Sequence, residues 1–185
     1  PFWVYGGLQD NGSWAGPSAL HADGGASNQD WNFLTGGDGF YVIPDPSRPN
    51  IVYAESQGAG VERIDRWTGV HRSMHPTEPE GQPAYRFNWN SPIVLSPHDP
   101  NLIFLGGRSL FISRDRGNSW TPISPDLTHN DKTRQGWGGT PITNEGAGGE
   151  VYATIVVIHE SLHDANTIYV GTDDGLVQLT RDAGK

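Results

Sequence analysis

Five loops hold the side chains best suited to chemistry: Gln9-Asp10-Asn11, Gly37-Asp38-Gly39, Arg86 to Asn90, the Gly-rich stretch 121–151, and Thr172-Asp173-Asp174. They supply Asp10, Asp38, Glu145, Glu150, Asp173 and Asp174 as acids, Asn11 and Asn88 as amides, Arg86 as a cation, and Trp89 and Trp137 as flat apolar surfaces. Two carboxylates about 5–10 Å apart are what hydrolysis of a glycosidic bond requires. Aromatic faces among acids and amides equally suit the binding of a sugar or a peptide without catalysis. The candidate ligand-binding set is Asp10, Asn11, Asp38, Arg86, Asn88, Trp89, Glu150, Asp173 and Asp174.

Metal chemistry is less well served. Cysteine is absent, which excludes thiolate sites and disulfides. The seven histidines show no convincing ligand spacing. A carbonyl-and-carboxylate Ca2+ site at Asp10 and Asn11, or at Asp173 and Asp174, is chemically reasonable but unspecific. No other cofactor is expected. The bland readings are concrete too. Asp-Gly and Asn-Gly pairs are hairpin turns first, and Trp89 serves equally as a core plug.

The charge balance narrows the partners. Asp and Glu number 21 against 12 Lys and Arg, a formal net charge of −9. A phosphate backbone or an anionic membrane surface would be repelled, so neither nucleic acid nor membrane is an expected partner. No apolar run is long enough to span a bilayer.

The elements that must position these loops are short strands. Runs of Val, Ile, Tyr and Phe are bounded by Gly, Pro, Asn and Asp, and no long segment has helical periodicity. Three segments share one template: Tyr41 to Tyr53, Ile93 to Phe104 and Ile155 to Tyr169. Each is an apolar strand, a tight Asp/Pro/Asn turn, and a second strand ending in an aromatic residue. Asp and Asn cap their own backbone in such turns, and Pro pre-sets φ. The aromatic anchor recurs at Tyr5, Tyr53, Phe104 and Tyr169. A period of about 40–50 residues with four strands per unit is that of a β-propeller blade. The expected fold is all-β: three to four four-stranded antiparallel blades of a β-propeller. The partition is 1–36 as a partial blade, 37–74 and 92–124 as blades, and 151–185 as a partial blade. Both ends read as cut within a blade, so the remaining blades of a parent protein, or a second copy of the chain, are expected partners. In this topology the five loops share one face at the channel mouth, opposite Asp45, Asp99, Asp164 and Asp115. Arg86 there can also pair with a carboxylate of a neighbouring blade.

One motif carries a family likeness. Ser113-Arg114-Asp115-Arg116-Gly117-Asn118-Ser119-Trp120 matches S-x-D-x-G-x-S/T-W, the Asp-box, with Ser113, Asp115, Gly117 and Trp120 as its structural residues. Thr180-Arg181-Asp182-Ala183-Gly184 begins a second copy, and Asp65 to Gly69 is a degenerate one. Tyr5-Gly6-Gly7-Leu8-Gln9-Asp10-Asn11-Gly12-Ser13-Trp14, Gly36-Gly37-Asp38-Gly39-Phe40, Tyr85-Arg86-Phe87-Asn88-Trp89-Asn90 and Gly171-Thr172-Asp173-Asp174-Gly175-Leu176 add to the likeness. The chain resembles Asp-box (bacterial neuraminidase repeat) propellers, and among them the sortilin-type propellers of large bacterial secreted proteins often labelled glycosyl hydrolase. The resemblance implies the fold and an extracytoplasmic, periplasmic or secreted, home. It does not carry an activity.

Function stays divided between two classes. A sialidase would need an arginine cluster for its anionic substrate, and the Arg-rich entry motif of those enzymes is missing here. The reading favoured is a non-catalytic recognition or scaffold module that binds peptide or carbohydrate at the channel-mouth face. The alternative is a glycoside hydrolase of neutral polysaccharides with its carboxylate pair on the same face.

Overall fold

A computed structural model describes residues 2–21, 24–135 and 151–184. The described residues are all-β, with only three single-turn 3-10 segments. Fourteen strands form four antiparallel sheets. The first holds β1 (Trp3–Leu8), β2 (Gly12–Pro17) and β3 (Asn32–Thr35). The second holds β4 (Val42–Pro44), β5 (Ile51–Ser56), β6 (Gly60–Asp65) and β7 (Val70–Ser73). The third holds β8 (Ile93–Leu95), β9 (Ile103–Gly106), β10 (Leu110–Ser113) and β11 (Thr121–Pro122). The fourth holds β12 (Ile155–Glu160), β13 (Ile168–Thr172) and β14 (Val177–Thr180). Each sheet is a meander in which sequence neighbours pair. The chain groups into two compact units, one of Pro1–Ser56 with Gly60–Ser73, the other of Gln57–Ala59 with Met74–Lys185.

The sequence template is a register template. The last residue of the leading strand pairs with the residue before the aromatic anchor in three sheets: Pro44 with Val52, Leu95 with Ile103, and Glu160 with Ile168. The same turn closes each hairpin. Asp45 N–H donates to Ile51 C=O, Ser96 N–H to Leu102 C=O, and Ser161 N–H to Thr167 C=O, at 2.9, 3.0 and 2.9 Å. Carboxylates cap these turns. Asp45 Oδ1 accepts from Ser47 N–H, Asp99 Oδ1 from Asn101 N–H, and Asp164 Oδ1 from Asn166 N–H. The short acidic side chain satisfies backbone donors that the turn leaves open.

Each unit buries an apolar seam. In the first, Ala15 and Leu34 meet Val52, Ala54 and Ile64, with Tyr5 and Val42 packed against them. In the second, Leu102, Phe104, Leu110 and Ile112 meet Ile155, Ile158, Ile168 and Val170. Fully burying a side chain of this size stabilises by about 1.5–3 kcal/mol, so these seams carry the main driving force for holding sheets together.

The hairpin between β10 and β11 shows why its motif has those residues. Ser113 Oγ donates to Asp115 Oδ1 at 2.8 Å and accepts from Gly117 N–H at 2.7 Å. Asp115 also accepts from Ser119 N–H at 2.9 Å and Ser119 Oγ at 2.6 Å. Trp120 Nε1 donates to Met74 C=O at 2.6 Å. Gly117 has φ +83, and a Cβ there would sit 1.9 Å from Met74 Cε. Parts of the pattern recur at the matching turns. Asp65 Oδ1 accepts from Trp67 N–H, and Thr180 Oγ1 both donates to Asp182 and accepts from Gly184 N–H.

The hydrogen bonds from Ser119 come first among the causes that hold the Asp115 carboxyl down at about 2, against a burial penalty that acts the other way. A depressed carboxylate stabilises the fold above its unfolded value and loses that contribution as pH falls through the folded one. Asp115→Asn should therefore flatten the loss of stability between about pH 4 and pH 2, and Asp115→Ala should cost about 1–3 kcal/mol at neutral pH. Urea unfolding across that pH range checks both. Unchanged pH curves in Asp115→Asn would contradict the assignment.

Candidate functional site

The first unit gathers three of the candidates. The β1–β2 turn carries Asp10 and Asn11, and Asp38 precedes β4. Asp38 is 4% exposed and its Oδ1 accepts from Asp10 N–H at 2.7 Å. Gly39 N–H donates to Leu8 C=O, and Gly12 N–H to Gly37 C=O, so the two loops are tied by backbone as well. A Cβ on Gly7 would fall 2.2 Å from the Gly39 carbonyl carbon. Asp10 adopts φ 63, within reach of an Asp in a tight turn. Its side chain and that of Asn11 point outward, exposed. Asp38 thus staples the loop, while Asp10 and Asn11 are the groups it presents.

The second unit gathers Arg86, Asn88, Trp89, Asp173 and Asp174. The 85–89 segment is anchored by aromatic packing: Phe87 is buried, with its centroid 5.4 Å from that of Phe111, and Tyr85 lies edge-on to Phe111 at 4.7 Å. Gly107 allows this segment to lie close, since a Cβ there would meet Arg86 C=O at 2.7 Å. Arg86 Nη2 then donates to Asp126 Oδ2 at 2.8 Å and to Thr128 Oγ1 at 3.2 Å, and its Nε donates to Ala153 C=O at 2.9 Å. Asn88 Nδ2 donates to Thr154 Oγ1 at 2.9 Å and to Asp173 Oδ2 at 3.2 Å. Thr154 N–H donates to Asp173 Oδ1 at 2.8 Å. Asp174 Oδ2 accepts from His129 N–H at 2.7 Å, and its Oδ1 accepts from Thr172 Oγ1. Trp89 is half-buried, its N–H held by Asn88 Oδ1 at 2.7 Å and its C=O by Gly58 N–H at 3.0 Å.

Two carboxyls in this cluster are pushed in opposite directions. Burial raises the pKa of Asp173, and the nearby Asp174 charge adds to that, against the hydrogen bonds from Thr154. Burial also opposes ionisation of Asp126, yet the hydrogen bonds from Thr128 and Arg86, with the guanidinium charge, outweigh it and hold Asp126 below the ordinary range. Arg86 and Asp126 are largely shielded, with side chains 12% and 22% exposed. A shielded pair of this kind is stronger than a surface one and costly to break from one side.

Glu150, with Glu145 and Trp137, lies outside the described residues. Within each unit the sorted ends are distinct: Asp38 precedes β4 whereas Asp45 follows it, and Asp173 follows β13 whereas Asp164 precedes it. No group of three or more His, Asp or Glu residues among the described residues is arranged to hold a metal. Sequence reasoning missed Asp126, Thr128 and Thr154. Asp126-x-Thr128 is readable as a local turn, since Asp126 Oδ1 accepts from Thr128 N–H at 3.1 Å. Nothing local marks Thr154 as the partner of Asp173, a contact between residues just before β12 and just after β13.

No protein-family model matches the sequence, and no curated protein matches it. Solved structures do resemble the chain. The GH74 xyloglucanase from Xanthomonas campestris aligns with a TM-score of 0.54 at 14% identity, over 92% of this chain and 25% of that one. The GH74 enzyme of Niastella koreensis aligns at 0.52 and 16%, over 98% and 29%. An ancestral GH74 enzyme aligns at 0.51 and 19%, over 83% and 18%. The chain thus spans between a fifth and a third of the length of these proteins, or slightly less. Such a likeness establishes the fold: the sheets are β-propeller blades.

The opposed shifts give a direct check. In a 13C-detected carboxyl titration, Asp173 should titrate above the ordinary value for aspartate and Asp126 below it. Arg86→Lys should move the Asp126 midpoint upward, because a single ammonium cannot reproduce the guanidinium fork. Coincident midpoints for the two carboxyls would contradict the geometry.

Proposed function

We propose that the chain is a recognition module of a larger propeller protein and binds neutral carbohydrate at the loop end that carries Asn88, Trp89 and Asp173. One observation carries this reading. The carboxylates of the cluster are taken up by the chain's own donors: Asp126 by Arg86 and Thr128, Asp173 by Thr154 and Asn88, Asp174 by Thr172 and the His129 N–H. A base or nucleophile needs an oxygen pair facing its substrate. A rigid binding surface needs the opposite, polar groups held still, with a partly exposed aromatic beside them. Net charge of −9 favours a neutral guest over an anionic one. The glycoside hydrolase titles of the similar structures, one of them a xyloglucanase, support carbohydrate over peptide as ligand.

The same reading includes the finer resemblance to Asp-box and sortilin-type propellers of bacterial secreted proteins. It includes an extracytoplasmic home and partners that are further blades, in one protein or in a second copy. None of the described helices is long and apolar enough to cross a membrane.

Catalysis is the second reading, and a specific observation favours it. Asp173 is raised and Asp126 lowered within one loop cluster. Carboxyls whose environments push them apart are the raw material of an acid and base pair.

Calorimetry with xyloglucan oligosaccharides, alongside a reducing-sugar assay, separates the two. Binding without hydrolysis, weakened about tenfold or more by Trp89→Ala (about 1.4 kcal/mol), is the expected outcome. Hydrolysis abolished by Asp173→Asn would move the assignment to the enzyme. Absence of any saccharide binding would overturn both.

A further inference from the structure

At the turn end of the second unit, where β8 passes to β9 and β12 to β13, is a cavity of about 310 Å3. Leu102, Phe104, Ile112 and Ile168 give it apolar walls, and Glu160 and Asn166 give it polar ones. Glu160 is 3% exposed, and neither carboxylate oxygen has a hydrogen-bond partner among the described residues. Buried carboxylates are normally paired or hydrogen-bonded, because desolvating an unpaired one is expensive. The template does not explain this residue: Pro44 and Leu95 hold the same register position in the other sheets.

A neighbouring turn suggests what is missing. After β10, the turn residue with φ 60 is Arg116. Its N–H donates to Asn101 C=O at 3.0 Å, its Nε donates to Asn101 Oδ1 at 2.9 Å, and it is 8% exposed. After β14 the matching residue is Ala183, with φ 59 and its N–H on Asn166 C=O at 2.9 Å. Asn166 repeats the role of Asn101 in its own hairpin, donating its N–H to an Asp two residues before. The backbone is the same, but the guanidinium that stands on Asn101 has no counterpart on Asn166. Ala183, Asn166 and Glu160 all line the cavity.

We propose that this cavity is a binding site for a guanidinium group on a short apolar stem, an arginine side chain presented by another polypeptide segment. Glu160 is its ion partner, the Asn166 side-chain carbonyl its second acceptor, and Leu102, Phe104, Ile112 and Ile168 receive the stem. Arginine suits the site better than lysine because its fork can engage a carboxylate and an amide oxygen together. Arg114 also lines the cavity but is exposed and makes no ion pair with Glu160.

The test uses the full chain with n-propylguanidinium chloride as probe, and tetramethylammonium chloride at equal concentration as the ionic control. Saturable binding of the first salt alone, seen by NMR shifts of residues around Glu160, is expected. Glu160→Gln should abolish it. Ala183→Arg should fill the cavity from within, raising Tm by a few degrees and eliminating probe binding, and Glu160→Gln in the same chain should cancel that rise. Any of these outcomes would overturn the proposal: no saturable binding, binding unaffected by Glu160→Gln, or a Tm gain in Ala183→Arg that survives Glu160→Gln. Probe binding that emerges only after Arg114→Gln would overturn it as well, since the chain would then close the site with its own arginine.

Discussion

Sheets in this protein approach each other more closely than a Cβ permits, and the candidate site depends on that contact. In the second unit, a Cβ on Gly106 would lie 2.7 Å from Pro92 Cγ and 2.9 Å from Ile155 Cγ2. Ile155 N–H reaches across to Gly107 C=O at 2.8 Å. This bond fixes the start of β12, and with it Ala153 and Thr154, against the end of β9. Arg108 N–H meanwhile holds Arg86 C=O at 2.8 Å over the same glycines. The two backbone contacts deliver the carbonyl of Ala153 to the Arg86 guanidinium and the Thr154 hydroxyl to Asn88. The first unit uses the same device, with Gly39 N–H on Leu8 C=O where Gly7 and Gly39 leave no room for side chains. Any larger residue there would push sheets apart, opening the apolar seams on which sheet packing depends.

That constraint also accounts for the electrostatics. Close packing of the loop ends takes acids partly out of water, where each needs donors of its own. Asp38 finds one in a backbone N–H, Asp173 in Thr154 and Asn88, and Asp126 in a guanidinium. The carboxylates that suggest chemistry in the linear sequence are thus largely the struts of the loops. What they stiffen is the surface around them: the partly buried Trp89 and Asn88 in one unit, and the exposed Asp10 and Asn11 in the other.

The fold was legible in the sequence because its signals are local. The turn capped by Asp45, Asp99 or Asp164 and the aromatic at Tyr53, Phe104 or Tyr169 lie within one hairpin, so register and repeat coincide. The Ser113 to Trp120 hairpin is local as well, and its Gly, Asp and Ser residues meet there as their types require. Two glycine pairs, Gly6-Gly7 and Gly106-Gly107, stand in the sequence in plain view, but which strand would press on them is a matter of packing. The site was legible only in part for the same reason. Asp173, Asn88 and Asp38 could be picked out by residue type and loop position. Thr154 could not, because its partners Asn88 and Asp173 are far along the chain, and Asp126-x-Thr128 reads only as a local turn, because the Arg86 it holds is 40 residues away. Glu160 was invisible, since a Glu that follows Ile155-Val156-Val157-Ile158-His159 reads as the start of a polar turn.

A repeat supplies its own internal control, which a single-copy fold lacks. Where Pro44, Leu95 and Glu160 occupy one register position, the fold plainly tolerates a residue with no charge. A burial-averse carboxylate there therefore needs a reason beyond folding. Positions 55, 106 and 171 form a second such set by the same register: Glu55, Gly106 and Gly171. Gly171 also needs to be small, but because of its cross-strand neighbour within one sheet, since a Cβ would meet Val157 at 2.7 Å. Glu55 is the exception and is buried beside Tyr41, whose pKa burial and then the Glu55 charge both raise. Equivalent backbone with non-equivalent chemistry marks these residues more sharply than their type alone. Selection for the fold acts on every copy of the template, whereas selection for a ligand acts on one. The departures of single sheets from the common pattern are accordingly what the requirements of the fold alone do not explain.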